Sequence, residues 1–242
     1  VEYTGTGTYA ELVFGDAYAN LTLSGAGTWT LDAPLSVSGS LDASGAASID
    51  PGTNAVSFTG TGTYTPPATA SNFTFYDLVI GASGALTAAG DIYVERDWYN
   101  GNGGSFTPGT NTVYFVDGTV DSGLSGSTGF YGFSCTAAGK KILFDNTATQ
   151  AVTGAFTVTG GGAGEANLIS LLSDSTGAAW DLDLTGAAVS VTFAVIGDSA
   201  VTPGQTVSDC ADAGGNTGWT FTTKTVVWDG DTNTDWAEPT NW

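Results

Sequence analysis

The sequence contains no histidine and no methionine, and basic residues are scarce in it. Four basic residues stand against 24 acidic ones, which gives a formal net charge of −20. The four are Arg96, Lys140, Lys141 and Lys224. A chain without histidine cannot build a Ser-His triad, and it lacks a main ligand of zinc. Its acidic surface repels phosphate backbones, so we expect no nucleic-acid partner.

Long apolar runs are also missing. No segment approaches the roughly 20 consecutive apolar residues that a membrane-spanning helix needs, so we expect no membrane span. The chain starts at Val1 instead of an initiator methionine, as it would after removal of a signal peptide, although a fragment would begin the same way. We therefore expect an extracellular or cell-surface location.

The sequence has only two cysteines, Cys135 and Cys210, and no CxxC pair. An even number of cysteines in a chain of secreted type favours a disulfide between them. The alternative is two buried thiols that pack as small hydrophobic groups.

Apolar residues alternate with polar ones at period two along most of the chain. Examples are Leu21/Leu23, Val56/Phe58, Val113/Phe115, Trp180/Leu182/Leu184 and Val189/Val191/Phe193/Val195. Glycine-rich turns separate these segments, as at residues 101–104 and 160–162. The pattern predicts an all-β chain of many short strands.

One segment of the sequence occurs twice with small changes. PGTNAVSF at residues 51–58 returns as PGTNTVYF at residues 108–115, and YTGTGTY at 3–9 returns as FTGTGTY at 58–64. Repeats without a linker are typical of a solenoid, in which successive coils bury each other's apolar rows. We predict an elongated parallel β-helix over residues 1–222, built from 57-residue repeats of about three coils, with copy stacked on copy. The alternative is a β-sandwich with a fortuitously repeated hairpin.

The segment GTGTY…LVFGDAYANLTLSGAGTWTLDAPLSVSGSLDASG resembles the repeats of large bacterial surface proteins with parallel β-helices, of the filamentous-haemagglutinin-like adhesin type. Residues 195–221 resemble the closing segment of such a repeat block, and residues 226–242 resemble the opening of the next one. The resemblance implies an extracellular protein that self-associates or adheres. It brings no catalytic residues with it.

Residues 223–242 form an acidic, aromatic segment that we interpret as an extended C-terminal tail or inter-subunit strand. Its oxygen-bearing residues at positions 1, 3, 5 and 7 of a candidate calcium loop are Asp229, Asp231, Asn233 and Asp235. The loop departs from the EF-hand pattern because Thr234 and Thr240 replace the glycine and the bidentate glutamate. The alternative is an ordinary polar turn. Calcium is the only cofactor that the sequence suggests.

The apolar residues of the same tail are candidates for a contact between subunits. They are Val226, Val227, Trp228, Trp236 and Trp242. Exposed tryptophans are costly, so we expect the tail to dock on the next copy by strand addition and to form a head-to-tail homopolymer. The alternative is that the tail folds back on its own solenoid as a cap.

Three further groups of residues are candidates for sites. Asp181 and Asp183 leave the same face of a strand and could form an acid–base pair, or they could be its solvated face. The sequons at Asn20 and Asn72 are candidate glycosylation sites. An aromatic group could stack on sugars or pack against neighbouring strands, and it consists of Tyr93, Trp98 and Tyr99.

These observations favour a structural subunit of an extracellular surface assembly, formed by head-to-tail docking of copies of this chain. We expect no enzymatic activity. The competing hypotheses are a glycan-binding adhesin module, with surface glycans as partners, and a carbohydrate-active enzyme on a β-helix.

Overall fold

A computed structural model of the protein describes residues 1–13, 15–162 and 164–222. These residues form short strands and two single-turn 3-10 helices, at Ala70–Asn72 and Glu165–Asn167. The strands are β1 (Glu2–Tyr3), β2 (Thr8–Tyr9), β3 (Ala17–Tyr18), β4 (Leu21–Leu23), β5 (Thr28–Thr30), β6 (Leu35–Val37), β7 (Leu41–Asp42), β8 (Ser48–Asp50), β9 (Ala55–Phe58), β10 (Thr61–Thr65), β11 (Thr74–Ile80), β12 (Ala85–Ala88), β13 (Ile92–Asn100), β14 (Ser105–Thr107), β15 (Thr112–Phe115), β16 (Ser122–Ser125), β17 (Thr128–Cys135), β18 (Lys141–Phe144), β19 (Thr149–Thr159), β20 (Ile169–Ser173), β21 (Trp180–Asp183), β22 (Ala188–Thr192), β23 (Ala194–Ile196), β24 (Ser199–Ser208), β25 (Ala211–Asp212) and β26 (Thr217–Thr222). The predicted all-β class is confirmed. Among the described residues, no helix has the length and apolarity to cross a membrane.

The strands stack in parallel into a solenoid of about ten coils with three sides. The first side begins with β1, β4, β7, β10, β12 and β14, and it continues where β14 packs on the start of β17. The second side begins with β2, β5 and β8, and the Ile49–Phe73 bridge joins it to the start of β11. The third side begins with β3, β6 and β9, and β9 pairs with the end of β11. Longer strands such as β11 and β13 bend round a corner and serve two sides.

Apolar side chains that point inward lie above one another in columns. On the third side one column consists of Leu35, Val56, Leu78, Trp98, Leu124 and Phe144. Neighbours in this column are 20 to 26 residues apart, so the coil length is close to the roughly 20 residues expected. All six side chains are buried. Because adjacent strands are about 4.8 Å apart, each apolar side chain covers the one below it and the core is continuous.

The two copies of the repeated phrase build the same turn. Asn54 donates its Nδ2–H to the carbonyls of Leu31 and Pro51 at 2.9 and 3.1 Å. Asn111 donates to Ala88 and Pro108 at 3.0 and 2.9 Å. Gly52 and Gly109 have φ angles of 56° and 61°, a region that favours glycine. In both copies the asparagine ties the turn to the preceding coil.

The two copies nevertheless lie at different corners of the solenoid. After the first turn, Val56 enters the third side and pairs with Leu35 and Leu78. After the second turn, Val113 enters the second side and pairs with Ile92 and Phe133. The 57-residue repeat therefore spans two full coils and two sides of a third. The prediction that each copy stacks on the preceding copy is wrong, because the three sides have similar lengths and the same strand pattern fits any of them.

Candidate functional site

The predicted calcium ligands Asp229, Asp231, Asn233 and Asp235 lie outside the described residues, as do the predicted contact residues Val226, Val227, Trp228, Trp236 and Trp242. These assignments stay predictions. Within residues 1–13, 15–162 and 164–222, no group of three or more His, Cys, Asp or Glu side chains is placed to hold a metal ion.

The predicted disulfide between Cys135 and Cys210 is wrong, since both cysteines are free thiols. Cys135 pairs in register with Val158, and Val158 pairs with Val191 one coil further on. The Cys210 Sγ lies on the far side of that column, 3.8 Å from the Val191 carbonyl. Two ladder steps of about 4.8 Å already exceed the roughly 7 Å that a disulfide permits between Cα atoms. Burial raises the pKa of the Cys135 thiol to about 11, so it packs as a small apolar group.

Lys140 is fully buried at a corner between the second and third sides. Its Nζ donates hydrogen bonds to the carbonyls of Val120 at 2.7 Å and Asp117 at 3.2 Å, and to the carbonyl of Glu95. Burial lowers the pKa of Lys140. Electrostatic interactions with Cys135 and with nearby carboxylates raise it, but their effect is smaller than that of burial. Three N–H donors thus meet three backbone acceptors, and the lysine closes this corner of the fold.

Arg96 is bound to carboxylates at a bulge between β11 and β13. Its Nε donates to Asp77 at 2.7 Å and lies 3.2 Å from an oxygen of Asp97, and a second guanidinium nitrogen pairs with Asp77. The guanidinium also covers the ring of Tyr76 at 4.6 Å. Together with Lys140, this ion pair explains two of the scarce basic residues as structural elements.

Asp181 and Asp183 leave the same face of β21, as predicted, and line a shallow depression of about 280 Å³. Hydrogen bonds from the hydroxyl and the backbone N–H of Thr185 lower the pKa of Asp183. A general acid needs a raised pKa, so this environment favours a solvated, ionised carboxylate over a proton donor.

Both sequon asparagines are exposed, but both side chains contact a neighbouring coil. The Asn20 Oδ1 accepts the Ser40 N–H at 2.8 Å. The Asn72 Nδ2, the atom to which a glycan would attach, donates to the Ala47 carbonyl at 2.8 Å. Glycosylation of either residue stays a prediction, and at Asn72 it would break a bond between coils.

The three aromatic residues that could stack on a sugar lie on different parts of the structure. Trp98 is buried in the core, where its Nε1 donates to the Thr128 Oγ1 at 3.1 Å. Tyr93 lies on the second side and stacks on Tyr114, with ring centroids 4.7 Å apart. Tyr99 lies on the third side with 48% of its surface exposed. Only Tyr99 borders a sizeable cavity.

That cavity, which we call the polar cavity, has a volume of about 520 Å³. It lies where the chain turns from the third side to the first side in three successive coils. Its walls are the turn 99–104, the turn 125–127 and the turn residues Asp145, Thr147 and Ala148. Glycines at 101, 103, 104 and 126 leave much of the wall as bare backbone.

Asn100 lies in the wall of the polar cavity and is 5% exposed. Its Nδ2 donates to the Ser127 carbonyl at 2.8 Å and to the Thr128 Oγ1 at 3.4 Å. Its buried Oδ1 accepts no hydrogen bond. A buried acceptor without a donor is unfavourable by about 1–3 kcal/mol, and this atom lies beneath Gly104 of the turn, where any side chain would collide with it.

The carboxylate of Asp145 lies in the next wall. Its Oδ1 accepts hydrogen bonds from the Thr147 hydroxyl and N–H at 2.6 and 2.8 Å, and its Oδ2 accepts from the Gly126 N–H at 3.1 Å. The hydroxyl bond is the main cause of the lowered pKa of Asp145. The polar cavity therefore presents a fixed, ionised acceptor beside an exposed aromatic ring.

Sequence reasoning did not find this cavity. Residues 100–104 read Asn-Gly-Asn-Gly-Gly, a pattern that by itself indicates only a turn. The available signal was the polar residue Asn100 at the inward position that follows Trp98 in the period-two pattern. No known protein family, curated protein or solved structure matches this chain.

Proposed function

We propose that this protein is a structural subunit of an extracellular surface assembly that grows by end-to-end stacking of its solenoid. The observation that carries the proposal is the parallel stack itself, in which each interior coil pairs with the preceding coil through one edge and with the following coil through the other. The first strand, β1, pairs with β4, and the last described strand, β26, pairs with β24.

A parallel stack has two different ends, and these ends are complementary. Every interior coil uses one edge of its strands for the preceding coil and the other edge for the following coil. The outer edge of the first coil therefore has the same strand direction as the edges that interior coils present to the coil before them. A second copy placed on the end would repeat the interior geometry and extend a rod of roughly 50 Å per copy. Such a contact is heterologous and does not close, so it produces a filament.

Side chains at both ends suit such a contact. At the first end, the half-buried Tyr9 stacks on the core residue Trp29 with ring centroids 4.2 Å apart. At the other end, Trp219 and Phe221 of β26 are only half-buried. Stacking of a further coil would cover this apolar surface, at about 25 cal/mol for each Å² removed from water.

The tail at residues 223–242 adds a second element to the proposal. It follows β26 directly, and its residues Val226, Val227, Trp228, Trp236 and Trp242 supply the apolar groups for docking on the neighbouring copy. The resemblance to adhesin-type surface repeats supports the same extracellular role. Copies with a charge of −20 repel one another, so we expect salt to promote assembly by screening.

The experiment compares three forms of the chain by electron microscopy and analytical ultracentrifugation at low and moderate salt. The forms are the full chain, a chain that lacks residues 223–242, and a full-length chain with serine at the five apolar tail positions. We expect filaments from the full chain, and folded, β-rich monomers from the other two. Filaments from the shortened chain would remove the tail from the mechanism, and a monomeric full chain at high concentration would contradict the proposal.

A further inference from the structure

We propose that the polar cavity is a binding site for a neutral saccharide. The site would add a recognition function to the side of the solenoid, remote from the ends at which copies stack. It does not depend on the proposed assembly, since all its walls belong to one chain.

The size of the polar cavity fits a small organic molecule. Ligand sites have volumes of about 300–1,000 Å³, and this cavity has about 520 Å³. A single water molecule accounts for about 30 Å³ in the liquid, so the space is far larger than one ion or water molecule requires.

The chemistry of the walls identifies the class of ligand. Arg96, Lys140 and Lys141 do not line the cavity, and Asp145 is ionised, so phosphates and acidic sugars would be repelled. Among the described residues, the apolar side chains in the walls are Tyr99 and Ala148, too few for a lipid. An exposed aromatic ring among hydroxyl, amide and carboxylate groups matches a sugar, which has one apolar face and a rim of hydroxyl groups.

Each wall would have a separate role toward the sugar. The Tyr99 ring would stack on the apolar face of the pyranose. The Asp145 carboxylate would accept hydrogen bonds from sugar hydroxyls, and charge-assisted bonds of this kind are the stronger ones. Asn100 would hold the turns in place through its bonds to Ser127 and Thr128, and would not itself contact the sugar.

A cation is the competing ligand for oxygen-rich walls. Calcium binds with six to eight oxygen ligands and favours several carboxylates, whereas the described part of the chain places one carboxylate, that of Asp145, in these walls. We therefore assign the cavity to a saccharide and make calcium an outcome of the test.

The test is an NMR titration of the ¹⁵N-labelled protein with lactose, cellobiose, maltose and chitobiose at millimolar concentration, and with sialyllactose and calcium chloride in parallel. We expect at least one neutral disaccharide to shift the amide signals of residues 101–104 and of Gly126. Absence of binding by all four, shifts confined to other parts of the chain, equal binding of sialyllactose, or the same shifts with calcium alone would each overturn the proposal.

Two matched variants then locate the ring that stacks. Tyr99→Ala should weaken binding of the neutral disaccharide by about tenfold or more. Tyr131→Ala is the control, because Tyr131 is also exposed, at 39%, but does not line the cavity. Circular dichroism shows that each variant is folded, and the shift map of the unmodified protein decides the question if Tyr99→Ala does not fold. Equal affinities of the two variants would contradict the assignment.

Discussion

The corners of this solenoid are of two kinds, which we call closed and open. The closed corners stabilise the fold, whereas the open corner borders the proposed binding site. In the closed corners, a side chain donates to backbone carbonyls of the turn or of a preceding coil, as Asn54, Asn111 and Lys140 do. In the open corner at Asn100, the amide donates as well, but its Oδ1 remains without a partner beside the polar cavity.

The comparison shows what a turn in a stacked coil requires. Backbone carbonyls at a corner leave the ladder of the flat side, so each needs a donor from elsewhere. Asparagine supplies two N–H groups at short reach, and lysine supplies three at longer reach. The closed corners provide these donors and leave no buried side-chain atom of Asn54, Asn111 or Lys140 without a partner. The open corner leaves the Asn100 Oδ1 buried without a donor, and it borders the polar cavity.

Of the substitutions considered in the corners, replacement of Lys140 should lower the free energy of unfolding most. Lys140→Met removes three donors, so the carbonyls of Glu95, Asp117 and Val120 each lose a hydrogen bond from a fully buried side chain. We expect the free energy of unfolding to fall by about 3 kcal/mol or more, measured by urea denaturation. Lys141→Met is the matched control, because Lys141 forms a partly exposed pair with Asp121 and should matter by less than about 1 kcal/mol. Similar losses in the two variants would contradict the role of Lys140.

The two copies of the repeated turn should be equivalent in energy although they lie at different corners. Asn54→Ala and Asn111→Ala each remove two hydrogen bonds to carbonyls. We expect each variant to lose about 1–2 kcal/mol of unfolding free energy. The double variant should lose the sum, since the sites share no partners. A large effect of only one replacement would show that the corners are not interchangeable.

In the open corner, the stabilisation from the ionised Asp145 carboxylate should depend on pH in the acid range. The pKa of Asp145 is lowered below 3.8, so its ionised form stabilises the fold above pH 3.8, and this contribution disappears as the pH falls through the lowered value. We expect Asp145→Asn to reduce stability at neutral pH by less than about 1 kcal/mol, and the gap should close in acid. Thermal melts of both proteins from neutral pH down to pH 2 would measure it. A gap that is constant with pH would contradict this role of the carboxylate.

The sequence predicted the features that depend on local pattern. The alternation of Val56 with Phe58, and of Val113 with Phe115, specifies strands with one buried face, and the coil length is close to the roughly 20 residues at the lower end of typical repeat lengths. The side on which each strand lies was not predictable, because alternation is the same on all three sides. The prediction of a disulfide was wrong for a related reason, since the spacing of Cys135 and Cys210 along the chain does not reveal how many coils separate them. The polar cavity joins turns from three coils, a relation that local pattern does not contain.

The central claim is that the 57-residue repeat is displaced by one side of the solenoid, and engineered disulfides test it directly. The structure pairs Ser57 with Val79, and both residues point outward on adjacent coils. Equal coils of one third of the repeat would instead place Ser57 beside Tyr76. Under mild oxidation, we predict a Ser57→Cys/Val79→Cys variant to form the cross-link and a Ser57→Cys/Tyr76→Cys variant to remain reduced at these positions, as read by peptide mapping. The opposite result would show that copy stacks on copy and would contradict the three-sided register on which the corners depend.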